Sequence, residues 1–174
     1  MRKLDSFAPI VSKQAKILIL GTMPGTASLQ KQQYYGHPRN AFWPIMEALF
    51  AINPELCYRD RKAKLTENGI AVWDVLLSCN RRGSLDSQIE KTSIRVNNFA
   101  DFFTEYNHIK HVFFNGALAE SLYRKNSLPT LGNRFSYLHY RRLPSTSPAH
   151  ASLTVAQKVQ AWSVVAQLTQ TNNC

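Results

Sequence analysis

Four consecutive apolar residues, Ile17, Leu18, Ile19 and Leu20, run into Gly21 and then into TMPGTASLQKQQYYGHPRNAFWPI, a stretch crowded with glycine, proline, aromatic and amide side chains. An uninterrupted apolar run predicts a strand covered on both faces, as in a parallel sheet, because a strand with one wet face alternates instead. Between Thr22 and Arg39 the residues Pro24, Gly25, Gly36 and Pro38 let neither a helix nor a strand run through undisturbed. Helical spacing starts near Asn40, in Phe42, Trp43, Ile45, Met46, Leu49 and Phe50, with Pro44 in the first turn, where its missing N–H does no harm. Open α/β folds bind ligands at such loops, beyond the C-terminal ends of parallel strands. This loop is the expected active site, since it also gathers Tyr34, Tyr35, His37, Arg39 and Asn40.

The rest of the chain alternates in the same way. Helices are expected from Pro54 to Gly69, Asn97 to Tyr106, Ala117 to Lys125 and Thr154 to Leu168, and strands over Ile70 to Val72, Val112 to Phe114 and Tyr137 to Leu143. Leu4 to Ser12 reads as an N-terminal extension or short helix, and Asp74 to Ser78 as a turn or helical segment before the polar loop CNRRGSLDSQIE. The alternation predicts an α/β fold, a three-layer α/β/α sandwich with a central, mostly parallel four-stranded sheet. At 174 residues and 44% hydrophobic, the chain suits one well-buried core, hence a single domain over 1–174. One edge of that sheet would then collect Thr22 to Asn40, Asn115, and Ser145 to His150.

Charge narrows the partner. A net charge of +10 points to a polyanion, and no acidic residue follows Glu120. Arg134, Arg141 and Arg142 flank the expected site loop, so phosphate contact is their better reading. No apolar run approaches membrane-spanning length, and MRKLDSFAPIVSKQ lacks the apolar core of a secretory signal, so a cytoplasmic protein is expected. Cys57, Cys79 and Cys174 form no paired motif, and reduced thiols are expected. No grouping of histidine, cysteine and aspartate has metal-ligand spacing, so neither a metal nor another cofactor is expected.

Three segments carry a resemblance. GTMPGTASLQKQQYYGHPRNAFW resembles motif 1 of the uracil-DNA glycosylase superfamily, in its family 6 or hypoxanthine-DNA glycosylase branch. VFFNGALA, from Val112 to Ala119, resembles the base-reading strand end of that superfamily, and LPSTSPAHA, from Leu143 to Ala151, its motif 2; GIAVWDVL and GSLDSQIE also fit, in the expected order. The resemblance implies a uracil-DNA glycosylase-like fold and a monomeric enzyme of base excision repair, acting on damaged DNA. It also sets aside the iron–sulfur branches, since three cysteines cannot supply the usual four thiolates.

Such an enzyme extracts a base from the duplex into a fitted pocket and breaks its bond to C1′ while positive charge grows on the sugar. The resemblance places Tyr35 as the aromatic that stacks on the base, within a pocket whose floor includes Gly21, Thr22 and Met23. Core packing is the competing reading for Tyr35, and the stronger one for Tyr34. Asn115 stands where the superfamily reads the base edge; its carbonyl would accept N1–H of hypoxanthine and its NH₂ donate to O6, although Asn-Gly is also a turn dipeptide. Met23 occupies the position where uracil-specific relatives have Asp and mismatch-specific ones Asn, and a thioether cannot orient water. In the hypoxanthine branch that work falls to the Asn of HPRN, here Asn40, which is equally suited to cap the following helix. Backbone N–H groups of the Gly21 to Gly25 turn suit the developing negative charge on the base.

In motif 2, Ser145, Ser147 and Pro148 fit the phosphate pinch, and Ala149 and His150 the wedge that fills the vacated space. Ser145 replaces the histidine of uracil-specific enzymes, and His150 stands where the family pattern has Asn. With no lysine in a motif, a monofunctional enzyme that leaves an abasic site is expected. Two alternatives stay open, a uracil or G·T enzyme and a non-catalytic DNA-binding protein on the same scaffold. The Arg81 to Asp86 turn reads as either a DNA-contacting or a solvated loop.

Overall fold

The structure, a computed structural model, describes residues 2–170; Cys174 lies outside them. The buried run forms strand β2 (Ile17–Gly21), preceded by strand β1 (Arg2–Asp5) and followed by helices α1 (Thr26–Lys31), α2 (Phe42–Phe50) and α3 (Tyr58–Glu67). Strands β3 (Ile70–Asp74), β4 (Leu76–Arg81) and β5 (Arg95–Val96) come next, then α4 (Phe99–Glu105), β6 (His111–Asn115), α5 (Ala117–Asn126), α6 (Leu128–Leu131), β7 (His139–Leu143) and α7 (Val155–Gln170).

The central sheet has four strands in the order β3-β2-β6-β7, every neighbouring pair parallel. β2 is buried throughout, as its apolar run requires. Alternation then assigns its residues to opposite faces. Leu18 and Leu20 pack with Phe99, Phe103, Tyr123 and Leu131 from α4, α5 and α6. Ile17 and Ile19 pack with Phe42, Ile45, Met46, Leu65 and Trp162 from α2, α3 and α7. Each fully buried large side chain contributes about 1.5–3 kcal/mol, so both helical layers are held by the strand between them. β7 is one of the two edge strands, and its exposed His139, Arg141 and Arg142 discourage further strand pairing.

Two segments differ from expectation. Residues 2–5 are a strand rather than an extension or helix, and β4 replaces the turn or helical segment expected after Asp74. Together with β5 they make a second, antiparallel sheet in the order β1-β4-β5. The physical reason is non-local. β1 pairs with β4 across most of the N-terminal half of the chain, a contact that local periodicity does not report. Its effect on the site is direct, because the loop after β1 brings Ser6 beneath the C-terminal end of β3.

Candidate active site

At the C-terminal ends of β2, β3 and β6 a cavity of about 450 Å³ opens. Gly21, Thr22 and Met23 line it from β2, with Tyr35 and Asn40 from the long loop, and Asn115 from β6. Ser145, Ser147, Pro148, Ala149 and His150 close it from the segment after β7. Arg141 and Arg142 do not line it. As neighbours on a strand they point to opposite faces, and Arg142 pairs with Glu120 at 3.6 Å, which leaves Arg141 the freer cation. Arg134, expected beside the site loop, instead donates to Thr104 near the C-terminal end of α4, away from the cavity.

Thr146 joins the three segments. Its N–H donates to Asn115 Oδ1 at 2.8 Å, its hydroxyl accepts from Asn115 Nδ2 at 2.9 Å, and its carbonyl accepts the Ala41 N–H at 2.9 Å. All of this is buried, Thr146 being 1% exposed. Gly116 permits the close approach of the same loop: its φ is +99°, and a Cβ there would sit 3.0 Å from that of Ser145. Thr146→Val is therefore expected to lower stability by about 1–3 kcal/mol, since it strands a buried Asn115 N–H, while Thr146→Ser stays near wild type. Thermal denaturation of the two variants measures this.

Tyr35 is held in the left-handed region at φ +55°, a conformation costing on the order of 1–3 kcal/mol in a non-glycine residue. Its ring stacks on Phe42, centroids 4.0 Å apart, so one face is backed by the core and one remains to offer. Its hydroxyl is buried beside the Asn115 amide with no hydrogen-bond partner among the described residues, and burial, with the charge of Asp74, pushes its pKa up. Tyr34 is a core residue: its N–H donates to the Tyr58 hydroxyl, its carbonyl accepts from Trp43 Nε1, and its hydroxyl donates toward the Phe7 and Ala8 carbonyls.

Asn40 lies one residue before Ala41, the N-cap of α2, yet it does part of the cap's work: Oδ1 accepts the Phe42 N–H at 3.0 Å. Its NH₂ makes no hydrogen bond with a described residue, and Asn40 lines the cavity. Capping and a site role therefore use different ends of one amide. His37 fixes the turn before it, its Nδ1 accepting the Arg39 N–H and its carbonyl the Asn40 N–H.

In motif order, Ser145 Oγ accepts the Ser147 N–H and Ser147 Oγ the Ala149 N–H, two small turns that leave Ala149 and His150 exposed at the mouth. Their hold comes from α7. Lys158 Nζ donates to the His150 carbonyl and Trp162 Nε1 to the Pro144 carbonyl. Among the described residues no cluster of three or more histidine, cysteine, aspartate or glutamate side chains is arranged to hold a metal.

The sequence profile of the Uracil DNA glycosylase superfamily matches residues 8–166. The chain belongs to that superfamily. A protein of Methanosarcina barkeri (strain Fusaro / DSM 804) named hypoxanthine DNA glycosylase is 36% identical over 115 residues, covering 66% of this chain and 72% of its own. Its namesake in Methanosarcina acetivorans is 34% identical over 114 residues, 65% of this chain and 71% of its own. A solution structure from Methanosarcina acetivorans, described as a candidate uracil DNA glycosylase, superposes with a TM-score of 0.80 at 29% identity, covering 97% of this chain and 99% of the other.

Sequence reasoning missed several residues of this glycosylase site. Asp74, 3% exposed, lines the cavity at the end of β3, level with Gly21. Burial pushes its carboxyl up to about 7, against the opposing influence of the Ser6 hydroxyl and the Arg81 guanidinium. The signal was present, because Asp74 ends the apolar run IAVW as Gly21 ends ILIL. Arg81 had no such signal. It is buried, donates to the Pro24 and Gly83 carbonyls and lies 3.5 Å from Asp86, while Ser84 Oγ accepts the Thr26 N–H. The Arg81 to Asp86 turn is thus a brace on the motif 1 loop, and Ser84, Leu85 and Asp86 reach the cavity wall.

Proposed function

We propose that this DNA glycosylase hydrolyses the N-glycosidic bond of hypoxanthine in DNA and leaves an abasic site. The observation that carries the reading is the locked orientation of Asn115. A backbone N–H only donates, so Thr146 obliges Asn115 to present Oδ1 to it, with Nδ2 on the hydroxyl side. A base meeting this amide must bring a donor to Oδ1 and an acceptor to the remaining N–H. N1–H and O6 of hypoxanthine do so. Adenine brings the reverse pair and would bind only if the amide turned over, which would set an NH₂ against the Thr146 N–H and lose that buried bond, so normal adenine is refused.

Uracil carries the same donor–acceptor edge as hypoxanthine, and Asn115 alone does not separate them. The preference rests on Met23, a buried thioether in place of a water-orienting side chain, and on the two relatives named hypoxanthine DNA glycosylase. In this reading Tyr35 stacks on the flipped base with Phe42 behind it. The free amide end of Asn40 holds the water that meets the sugar cation. Ser145, Ser147 and Pro148 pinch a phosphate beside the mouth, Ala149 and His150 fill the gap left by the base, and Arg141 and Arg142 supply general phosphate affinity. The enzyme is read as a cytoplasmic monomer with thiols kept reduced, a part of the proposal supported by the sequence and by the free Cys57 and Cys79.

Met23 and Ser145 favour one competing reading, a protein that binds DNA without chemistry. Duplexes with a single deoxyinosine, deoxyuridine or normal deoxyadenosine, incubated with the protein and then treated with alkali, separate the readings. Strand breakage at deoxyinosine, weak breakage at deoxyuridine and none at deoxyadenosine is expected. Breakage favouring deoxyuridine transfers the assignment to uracil, and binding without breakage ends the catalytic one.

A further inference from the structure

The mechanism above leaves unused the most deeply buried carboxyl group of the cavity. Asp74 Oδ2 accepts the Ser6 hydroxyl at 3.0 Å, while Oδ1 lies where a Cβ on Gly21 would fall, only 2.5 Å from that point. Any side chain at position 21 would displace it, so Gly21 is the residue that admits this carboxyl to the floor. The Tyr35 hydroxyl lies 3.4 Å from the same point, and it is fully enclosed without a hydrogen-bond partner among the described residues. Asn115 stands across β2 from Asp74 in the strand order β3-β2-β6. A carboxyl, an unpartnered phenol and a base-reading amide therefore meet on one floor, where the base would rest and away from the mouth where DNA would enter.

We propose that Asp74 is a second catalytic residue: as the neutral acid it contacts the flipped hypoxanthine and passes its proton to N7 as the bond from C1′ to N9 breaks. The inference rests on the hypoxanthine reading given above. N7 is the most basic ring nitrogen of a 6-oxopurine nucleoside, and protonating it turns the departing base from an anion into a neutral molecule. The electron pair of the C1′–N9 bond leaves with the base. Water held by Asn40 adds its oxygen to C1′, and the proton it releases restores the acid form of Asp74. The sum is nucleoside plus water giving abasic sugar plus hypoxanthine.

The surroundings keep the acid neutral. Besides Ser6, the groups facing it are Tyr34 and Tyr35 from the motif 1 loop, Tyr58 from α3, Arg81 from β4 and Asp86 from the turn beyond. Asn97 donates to the Asp74 backbone carbonyl and leaves the side chain alone. Only Arg81 is a cation, and it is shared with Asp86, whose own carboxyl is also pushed up by burial. Burial raises the Asp74 pKa to about 7, so the active acid form is full below that pH and is lost above it.

The test is Asp74→Asn, which keeps the shape and the acceptor for Ser6 but cannot give up a proton. Single-turnover excision of deoxyinosine is expected to fall about a hundredfold or more. The wild-type rate should drop as pH rises past 7, approaching tenfold per unit, while the variant's rate stays flat. With 7-deazadeoxyinosine, which lacks N7, the two proteins should be equally slow. The melting temperature provides a separate measure: because the folded state holds the Asp74 proton, wild type should lose stability relative to the variant between pH 5 and pH 8. A folded variant with wild-type rate and pH profile overturns the inference, as does a wild-type profile flat from pH 6 to 9 even if the variant fails to fold. A wild type that never cleaves deoxyinosine overturns the substrate reading and this inference together; one that cleaves it, matched by Asp74→Asn, overturns this inference alone.

Discussion

Asn115→Asp is expected to cut deoxyinosine excision by on the order of 10³-fold while leaving the protein folded, because removing one fixed donor from such a site costs 10²–10³ and an anion is added besides. The fold survives the change for a local reason. An aspartate at 115 still accepts the Thr146 N–H, and the Thr146 hydroxyl, which now accepts from Nδ2, turns round and donates. The base has no such freedom. O6 of hypoxanthine meets a carboxylate oxygen where it had an N–H, so both the bond and its favourable charge are lost. Binding to undamaged duplex should stay near wild type, because backbone contacts do not involve position 115. Single-turnover rates on deoxyinosine and affinity for plain duplex, measured on one preparation, check both halves; wild-type cleavage by the variant would remove Asn115 from base reading.

Asn40→Ala is the second large effect, and it has two components of different size. Loss of the Oδ1 contact to the Phe42 N–H costs about 1 kcal/mol of stability, the usual price of a helix-capping side chain. Loss of the NH₂ end removes the group expected to orient water, with a fall in single-turnover rate on the order of 10²-fold. The two are separable by temperature. A capping effect alone would restore full activity on cooling, as the folded fraction recovers, whereas a missing water-orienting amide leaves the rate low in a fully folded protein. Melting temperature and rate at two temperatures decide the matter.

Much of the layout was legible because it depends on short-range pattern. ILIL had to be a doubly covered strand, and it is the buried second strand of the central sheet. Phe42, Ile45 and Met46 recur at helical spacing and all face one core. Gly36 and Pro38 marked a break in regular structure, and there the His37 Nδ1 accepts the Arg39 N–H. Less legible was the arginine pattern. Arg134, Arg141 and Arg142 looked alike beside motif 2, yet one is drawn to Thr104, another to Glu120, and only Arg141 keeps its charge unshared among the described contacts.

What the sequence determined alone is the parallel sheet, its helical cover and the edge at which the functional side chains meet, because strand burial and helix amphipathicity are properties of neighbours a few residues apart. What only the tertiary structure decided is how those side chains are held. Thr146 orients Asn115 across 31 positions of chain, Ser6 reaches Asp74 across 68, and Arg81 braces the Pro24 carbonyl across 57. The second sheet that makes the Ser6 contact possible is itself a pairing of distant segments. Hydrogen bonds between segments so far apart leave no periodicity in either one. They arise when burial forces polar groups of separate elements to satisfy each other in the same small volume.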